Sequence, residues 1–196
     1  MALHIVDLFH GDTGIDFHAL KAGGVDGVIL KATQGTGYTD PAYADTMARA
    51  RSVCFPVVGA YHYFDKTAPA VQQVDHFLSV ARLKPGEFAA LDTEEWTNGT
   101  VSRVNQALAL LDKALSVKVC HYANRSTFHD LFPQETGRLQ WVAAYDAPRP
   151  PGALFWQFTE RARVAGAAGQ VDESIFFGTL AQLQPYLIPG KVAIHG

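Results

Sequence analysis

The sequence predicts an α/β fold built largely from parallel strands, and three observations carry that prediction. Short runs rich in β-branched and aromatic residues alternate with amphipathic stretches over the first two thirds of the chain. With 196 residues, 48% of them hydrophobic, the chain is long enough to bury one substantial core and short for two. There is no internal repeat, low-complexity tail or linker, although Ala147 to Gly152 (APRPPG) reads as a stiff loop. One domain spanning residues 1–196 is expected.

Taken in order, His4 to Phe9 (HIVDLF) reads as a strand, Phe17 to Ala22 as a short helix and Gly27 to Ala32 (GVILKA) as a second strand. Pro41 to Arg51 reads as a helix with Asp40 as N-cap and Pro41 at its first position, where no intrahelical donor is needed. Val57 to Phe64 is a third strand, Ala68 to Leu83 a helix, Phe88 to Thr93 a fourth strand, Thr100 to Leu115 a helix and Lys118 to Tyr122 a fifth strand. After a helix at Arg125 to Leu131 the helices fade. Leu139 to Tyr145, Ala153 to Thr159 and Val171 to Phe176 read as strands joined by loops, giving about eight strands and five helices. Such alternation implies parallel pairing and right-handed crossovers, which an open doubly wound sheet and a closed β/α barrel both satisfy.

Sixteen basic and nineteen acidic residues give a formal net charge of −3, without the basic footprint of a nucleic-acid binder. No apolar stretch approaches the length of a bilayer span, and MALHIVDLFH has neither a basic leader nor a cleavage site, so a soluble chain without a secretion signal is expected. Cys54 and Cys120 form no CxxC pair, and free, mostly buried thiols are expected.

Polar residues interrupt these apolar strands in a consistent way. Asp7 breaks IVDLF, Lys31 ends VILK, Tyr61, His62 and Tyr63 end VVGAYHYF, Asp92 and Glu94 end AALDTE, Tyr122 ends VCHY, and Asp172 lies in QVDESIF. Nearly all stand at C-terminal strand ends, the rim where β/α barrels gather their active sites. Asp92 and Glu94 are two apart, so on a strand they share a face with Cβ atoms about 7 Å apart. Like charges in a partly dry pocket push at least one pKa upward, which keeps a carboxylic acid protonated to donate to a leaving oxygen. A solvated loop capping the helix near Thr100 is the competing reading. It is disfavoured by the preceding apolar strand, by Trp96 close by, and by Asp7 and Asp172, which a closed barrel would bring to the same mouth.

Tyr61, Tyr63, Tyr122, Trp141, Tyr145 and Trp156 recur near the same strand ends, where aromatic rings suit the apolar CH faces of sugars; for Trp141 and Trp156 an ordinary core role stands beside that reading. His10, Asp12, His62, Asp92 and Glu94 could be gathered into a hard-cation or zinc site, but no short ligand motif such as HExxH is present, and neither metal nor cofactor is expected. There is no GxSxG nucleophile motif, and Gly35 and Gly37 of TQGTG make a turn without a Walker lysine.

The blocks VDLFHG (Val6 to Gly11), AGGVDGVILKATQGTGYTDPAY (Ala22 to Tyr43), VGAYHYF (Val58 to Phe64), DTE (Asp92 to Glu94), QWVAAY (Gln140 to Tyr145), FWQFT (Phe155 to Thr159) and GAAGQVDESIFFGT (Gly166 to Thr179) resemble, in order, the family 25 glycoside hydrolases, the muramidase-type lysozymes. The resemblance implies an irregular, single-domain, TIM-like β/α barrel whose last strands lack helices. It implies hydrolysis of the β-1,4 bond between N-acetylmuramic acid and N-acetylglucosamine in peptidoglycan. With neither a signal peptide nor a wall-binding repeat in the sequence, a phage lysin released through another protein's pore or a trimmed secreted enzyme, acting on the cell wall as a monomer, is expected. Residue by residue, the resemblance implies Glu94 as general acid, Asp92 as its partner, and Asp7 and Asp172 as flanking carboxylates. Lys31, Tyr63, Tyr122 and Gln157 would line the sugar groove, to which the strand-end pattern adds Tyr61 and Tyr145. Two departures stand out: Phe9, His10 and Gly11 follow Asp7 where the family has a Ser and a Gln-containing segment, and Gln34 replaces its common Glu. A peptidoglycan-binding module without catalysis would have lost an acid, and all four are present; a chitin-type glycosidase would cleave oligomers lacking the lactyl group equally well.

Overall fold

The computed structural model describes residues 2–190. The chain runs β1 (Leu3–Leu8), α1 (Phe17–Ala22), β2 (Gly27–Gln34), β3 (Tyr38–Thr39), α2 (Tyr43–Val53), β4 (Val57–Tyr63), α3 (Ala70–Ala81), β5 (Phe88–Asp92), α4 (Thr100–Leu115), β6 (Cys120–Asn124), α5 (Arg125–Leu131), β7 (Gln140–Ala143), β8 (Phe155–Ala162), β9 (Val171–Phe176) and α6 (Leu180–Leu183), then a 3₁₀ turn at Gln184–Tyr186. Eight strands close a barrel in the order β1, β2, β4, β5, β6, β7, β8, β9, with β9 returning to β1. The two-residue β3 only folds back on β2 through the Gly35 turn, whose φ of 56° suits glycine. Closure settles the choice that alternation left open: this is a barrel.

Six of the eight pairings are parallel, but β9 is antiparallel to both β8 and β1. Alternation implies parallel pairing only while helices carry the chain back; residues 163–170 between β8 and β9 contain none and are too few for a crossover. The reversal has a large consequence for the site, because it turns the N-terminal end of β9 toward the rim reached by the C-terminal ends of the others.

Strand alternation sorts two apolar layers. Ile5, Ile29, Val57, Phe88, Ala90, Cys120, Trp141, Phe155 and Phe176 point inward and fill the barrel. Trp141 stacks on Phe155 at 4.8 Å, and Phe155 meets Phe88 and Phe176 edge-on at 6.1 Å. Val6, Val28, Leu30, Val58, Ala89 and Leu91 point outward against the helices. These present stripes at helical spacing: Ala70, Gln73, Val74, Phe77 and Ala81 on α3, and Thr100, Val104, Ala107, Leu108 and Leu111 on α4. At Gly59 of β4 an added Cβ would lie 2.6 Å from the Phe88 carbonyl oxygen. Gly59→Ala must therefore push β4 from β5, and chemical unfolding should show a loss of about 1–3 kcal/mol; an unchanged midpoint would contradict so tight a strand contact.

Some boundaries differ from expectation for identifiable reasons. The helix after Asp40 begins at Tyr43, with Ala42 as an N-cap lacking a side-chain bond. The buried Asp40 carboxylate is spent elsewhere, accepting from the backbone N–H groups of Ala42 and His10 at 2.9 and 3.0 Å. The second strand runs on to Gln34 through a register shift between Lys31 and Thr33. Helix α3 starts at Ala70 because Pro69 holds an extended φ and ψ of −64° and 133°. Cys120 is buried as expected, but Cys54 is exposed, since it lies past the end of α2 in a left-handed conformation. Among the described residues no helix is long and apolar enough to cross a membrane.

Candidate active site

The inward alternation that fills the barrel continues to its C-terminal rim, where the inward positions change from apolar to polar. Asp7 on β1, Lys31 on β2, Tyr61 and Tyr63 on β4, Asp92 on β5, Tyr122 on β6 and Gln157 on β8 occupy these positions. Asp172, second residue of β9, reaches the same rim because β9 runs backwards, and it pairs in register with Asp7. Glu94 follows two residues after β5 ends. Asp7, Tyr61, Asp92, Glu94, Tyr122, Trp141 and Asp172 line one small cavity.

A hydrogen-bond network fixes one wall of it. The buried Gln157 amide donates through Nε2 to Asp7 Oδ2 at 2.9 Å, and its Oε1 accepts from the Tyr122 hydroxyl at 2.7 Å and the Tyr145 hydroxyl at 2.6 Å. On the opposite side Lys31 Nζ donates to Gln34 Oε1 at 2.8 Å and sits 4.8 Å from the centroid of the Tyr63 ring. Trp141, fully inside the core, donates from Nε1 to Ser174 Oγ at 2.9 Å and closes the floor. Asp92 Oδ1 is buried with no partner among the described residues.

The electrostatics follow from burial and crowding of like charge. Burial, and then the neighbouring Glu94 charge, pushes the Asp92 carboxyl well above the usual carboxylate range, with Lys31 opposing. Burial raises Glu94 as well, again against Lys31. Asp7 is driven well upward by burial and by Asp172. Burial lifts Asp172 to about 6, while its hydrogen bond with Asp7 acts in the other direction. Lys31 is itself lowered by burial, which the charges of Asp92, Asp40 and Glu94 partly offset.

These shifts fix the sign of a pH effect. An acid whose folded pKa is raised holds protons that the unfolded chain releases, so the stability it allows is present below its unfolded value and is lost as pH rises through the folded one. For Asp172 that window runs from about 4 to about 6. Asp172→Asn should flatten the decline of the thermal unfolding midpoint across it, and an identical pH profile in the variant would refute the raised pKa.

The ten residues expected at the site all lie at this rim: Asp7, Lys31, Tyr61, Tyr63, Asp92, Glu94, Tyr122, Tyr145, Gln157 and Asp172. Trp96 does not join them. It packs against Phe132 at 5.4 Å in the outer layer. His62 also turns outward, between Thr33 Oγ1 at 2.7 Å and Gln73 Oε1 at 3.2 Å, so it cannot share a metal with Asp92. Trp156 faces outside the barrel, near Phe158 and Phe177. Sequence reasoning missed the roles of Gln34 and Ser174, polar residues whose partners lie on other strands. Exposed Phe9 and Tyr38 flank His10 above β1 and β2, and Tyr38 lies 5.8 Å from Lys31 Nζ, so the mouth has an aromatic edge.

Comparison with known proteins gives a consistent result. Residues 6–167 match the model of the glycosyl hydrolases family 25. The uncharacterized protein YegX of Escherichia coli K12 is 30% identical, over 94% of this chain and 73% of its own. The autolytic lysozyme of Clostridium acetobutylicum is 27% identical, over 92% of this chain and 59% of its own. Among solved structures, a family 25 glycosyl hydrolase from Bacillus anthracis superposes with a TM-score of 0.84 at 20% identity, over 94% of this chain and 93% of that one.

Proposed function

The chain belongs to the family 25 glycosyl hydrolases, and from that premise we propose how its rim carboxyls perform lysozyme chemistry. The reaction is hydrolysis of the β-1,4 bond between N-acetylmuramic acid and N-acetylglucosamine in bacterial peptidoglycan, which sets the place of action at the cell wall. The observation that carries the division of labour is the contrast between Glu94 and Asp92. Glu94 stands at the exposed edge of the cavity with its carboxyl raised by burial, suited to hold a proton and deliver it to the glycosidic oxygen. Asp92 is buried beside it with an oxygen that has no partner among the described residues, suited to receive the substrate's acetamido N–H or to stabilise positive charge developing on the sugar ring.

Asp7, anchored by Gln157, and Asp172 complete the acidic floor, while Tyr122 and Tyr145 hold the Gln157 amide in the orientation that serves Asp7. Lys31 keeps the cluster from becoming uniformly neutral, because its charge favours ionisation of Asp92 and Glu94. Tyr61 and Tyr63 offer ring faces to the sugars. One copy of the chain supplies all of these groups, so we expect a monomer acting through a single catalytic domain. Mass spectrometry of digested peptidoglycan tests the reading: fragments with new N-acetylmuramic acid reducing ends are expected. New N-acetylglucosamine ends, or equal cleavage of chitin oligomers, would overturn it.

A further inference from the structure

The segment that carries Glu94 continues past the end of its strand. β5 ends at Asp92, and the chain after Thr93 lies outside the barrel ladder. Besides the β6 backbone at Tyr122, its supports come from the outer layer and centre on His121, a fully buried residue of β6 that faces away from the cavity. His121 Nδ1 lies 3.0 Å from both oxygens of Glu135, and Nε2 lies 2.7 Å from Thr93 Oγ1. A carboxylate only accepts, so Nδ1 carries the hydrogen toward Glu135 and Nε2 is aimed at the Thr93 hydroxyl. The imidazole is clamped edge-on by Phe128 at 5.0 Å and Phe132 at 4.7 Å, and Phe132 in turn packs against Trp96 at 5.4 Å.

Glu94 is thus flanked on both sides by contacts to one cluster, Thr93 before it and Trp96 after it. The Thr93 backbone N–H donates to the Tyr122 carbonyl at 2.9 Å, and that carbonyl also lies 3.1 Å from the Thr93 hydroxyl, which is thus shared between His121 Nε2 and the β6 backbone. Glu135 is itself fixed, accepting from Gln140 Nε2 at 3.2 Å and lying 3.6 Å from Arg138, whose guanidinium grips Asp112 at 2.8 and 2.9 Å. Burial alone would raise the Glu135 carboxyl, but His121, Gln140 and Arg138 hold it below its ordinary value. The neighbouring ion pair Lys66–Glu95, at 2.9 Å, is solvent-exposed and contributes little.

We propose that His121, through Thr93 and with Glu135 behind it, is a positioning residue that sets the height and angle of the Glu94 carboxyl over the barrel mouth. The inference rests on Glu94 being the general acid. A displacement of about 1 Å in a reacting group can cost about 10²-fold in rate, so a brace this close to the acid should register in kcat rather than in substrate binding.

Thr93→Val tests it gently, since it keeps shape and burial while removing the hydroxyl. It should lower kcat at least about tenfold with KM within about twofold of wild type, and Thr93→Ser should restore kcat. Glu135→Gln, at the far end of the brace, should also lower kcat. The double variant Thr93→Val/Glu135→Gln should be little worse than the more affected single one, because both act on one network. A wild-type kcat in Thr93→Val, a loss not restored by Ser, or fully additive losses would overturn the brace. Glu94→Gln in the same assay separates the two readings: if it is inactive while Thr93→Val is normal, only the brace fails, and if it is active, the acid assignment fails first.

Discussion

Glu94→Gln should lower the release of reducing ends from purified peptidoglycan by about 10²–10⁴-fold, the usual contribution of a positioned general acid. The amide keeps the size and most of the hydrogen bonding of the side chain but has no proton to give. Because Glu94 is exposed, the fold should be unaffected; a loss of activity that came with a lower unfolding midpoint would point to damage instead. Leaving-group chemistry sharpens the test. An aryl glycoside whose phenol departs as a stable anion needs little protonation, so the variant should retain far more activity on it than on peptidoglycan. Equal loss on both substrates would assign Glu94 another role. The pH dependence has a defined sign as well: a raised acid delivers its proton below its pKa, so kcat should fall on the alkaline side. Lys31 opposes that raise, so Lys31→Met should move the fall to higher pH.

How much of this could be read before folding depends on the range over which each signal acts. Local periodicity placed α1, α4, α5 and β9 at their observed bounds, since apolar spacing and breakers are properties of neighbouring residues. Barrel closure, by contrast, depends on β1 meeting both β2 and β9, a pairing that no window of sequence contains; it entered through the family resemblance. The strand-end acids were legible because a charged residue inside an apolar run is locally anomalous. Gln34 and Ser174 are ordinary polar residues whose significance comes only from partners on other strands. Trp96 shows the opposite error, since closeness in sequence to Glu94 suggested the cavity while the turn after β5 carries its ring to Phe132. Thr93 and His121 alternate with Asp92 and Tyr122, so the pattern turns them outward but does not show that they meet.

Asp92→Asn should lose about 10²–10³-fold in kcat, the scale for removing one preorganised electrostatic contact, and yet give a more stable protein at neutral pH. Both effects have the same origin. Asp92 Oδ1 is buried and accepts from nothing among the described residues, and burial beside the Glu94 charge makes its ionised form costly to hold. A substrate N–H at the reacting sugar would give that oxygen a partner. A neutral amide is cheaper to bury than a carboxylate next to Glu94, so the variant escapes the cost of the buried charge and forfeits the carboxylate's contact. Linkage gives the pH signature. The folded pKa of Asp92 is raised, so wild type loses stability as pH climbs from about 4 toward that value, whereas Asn has no proton to lose. The two proteins should therefore unfold at nearly the same temperature below about pH 4 and diverge above it, with Asp92→Asn the higher. If Asp92→Asn instead unfolds lower at neutral pH, Asp92 is stabilising the fold, and its orphaned oxygen has a partner other than the substrate.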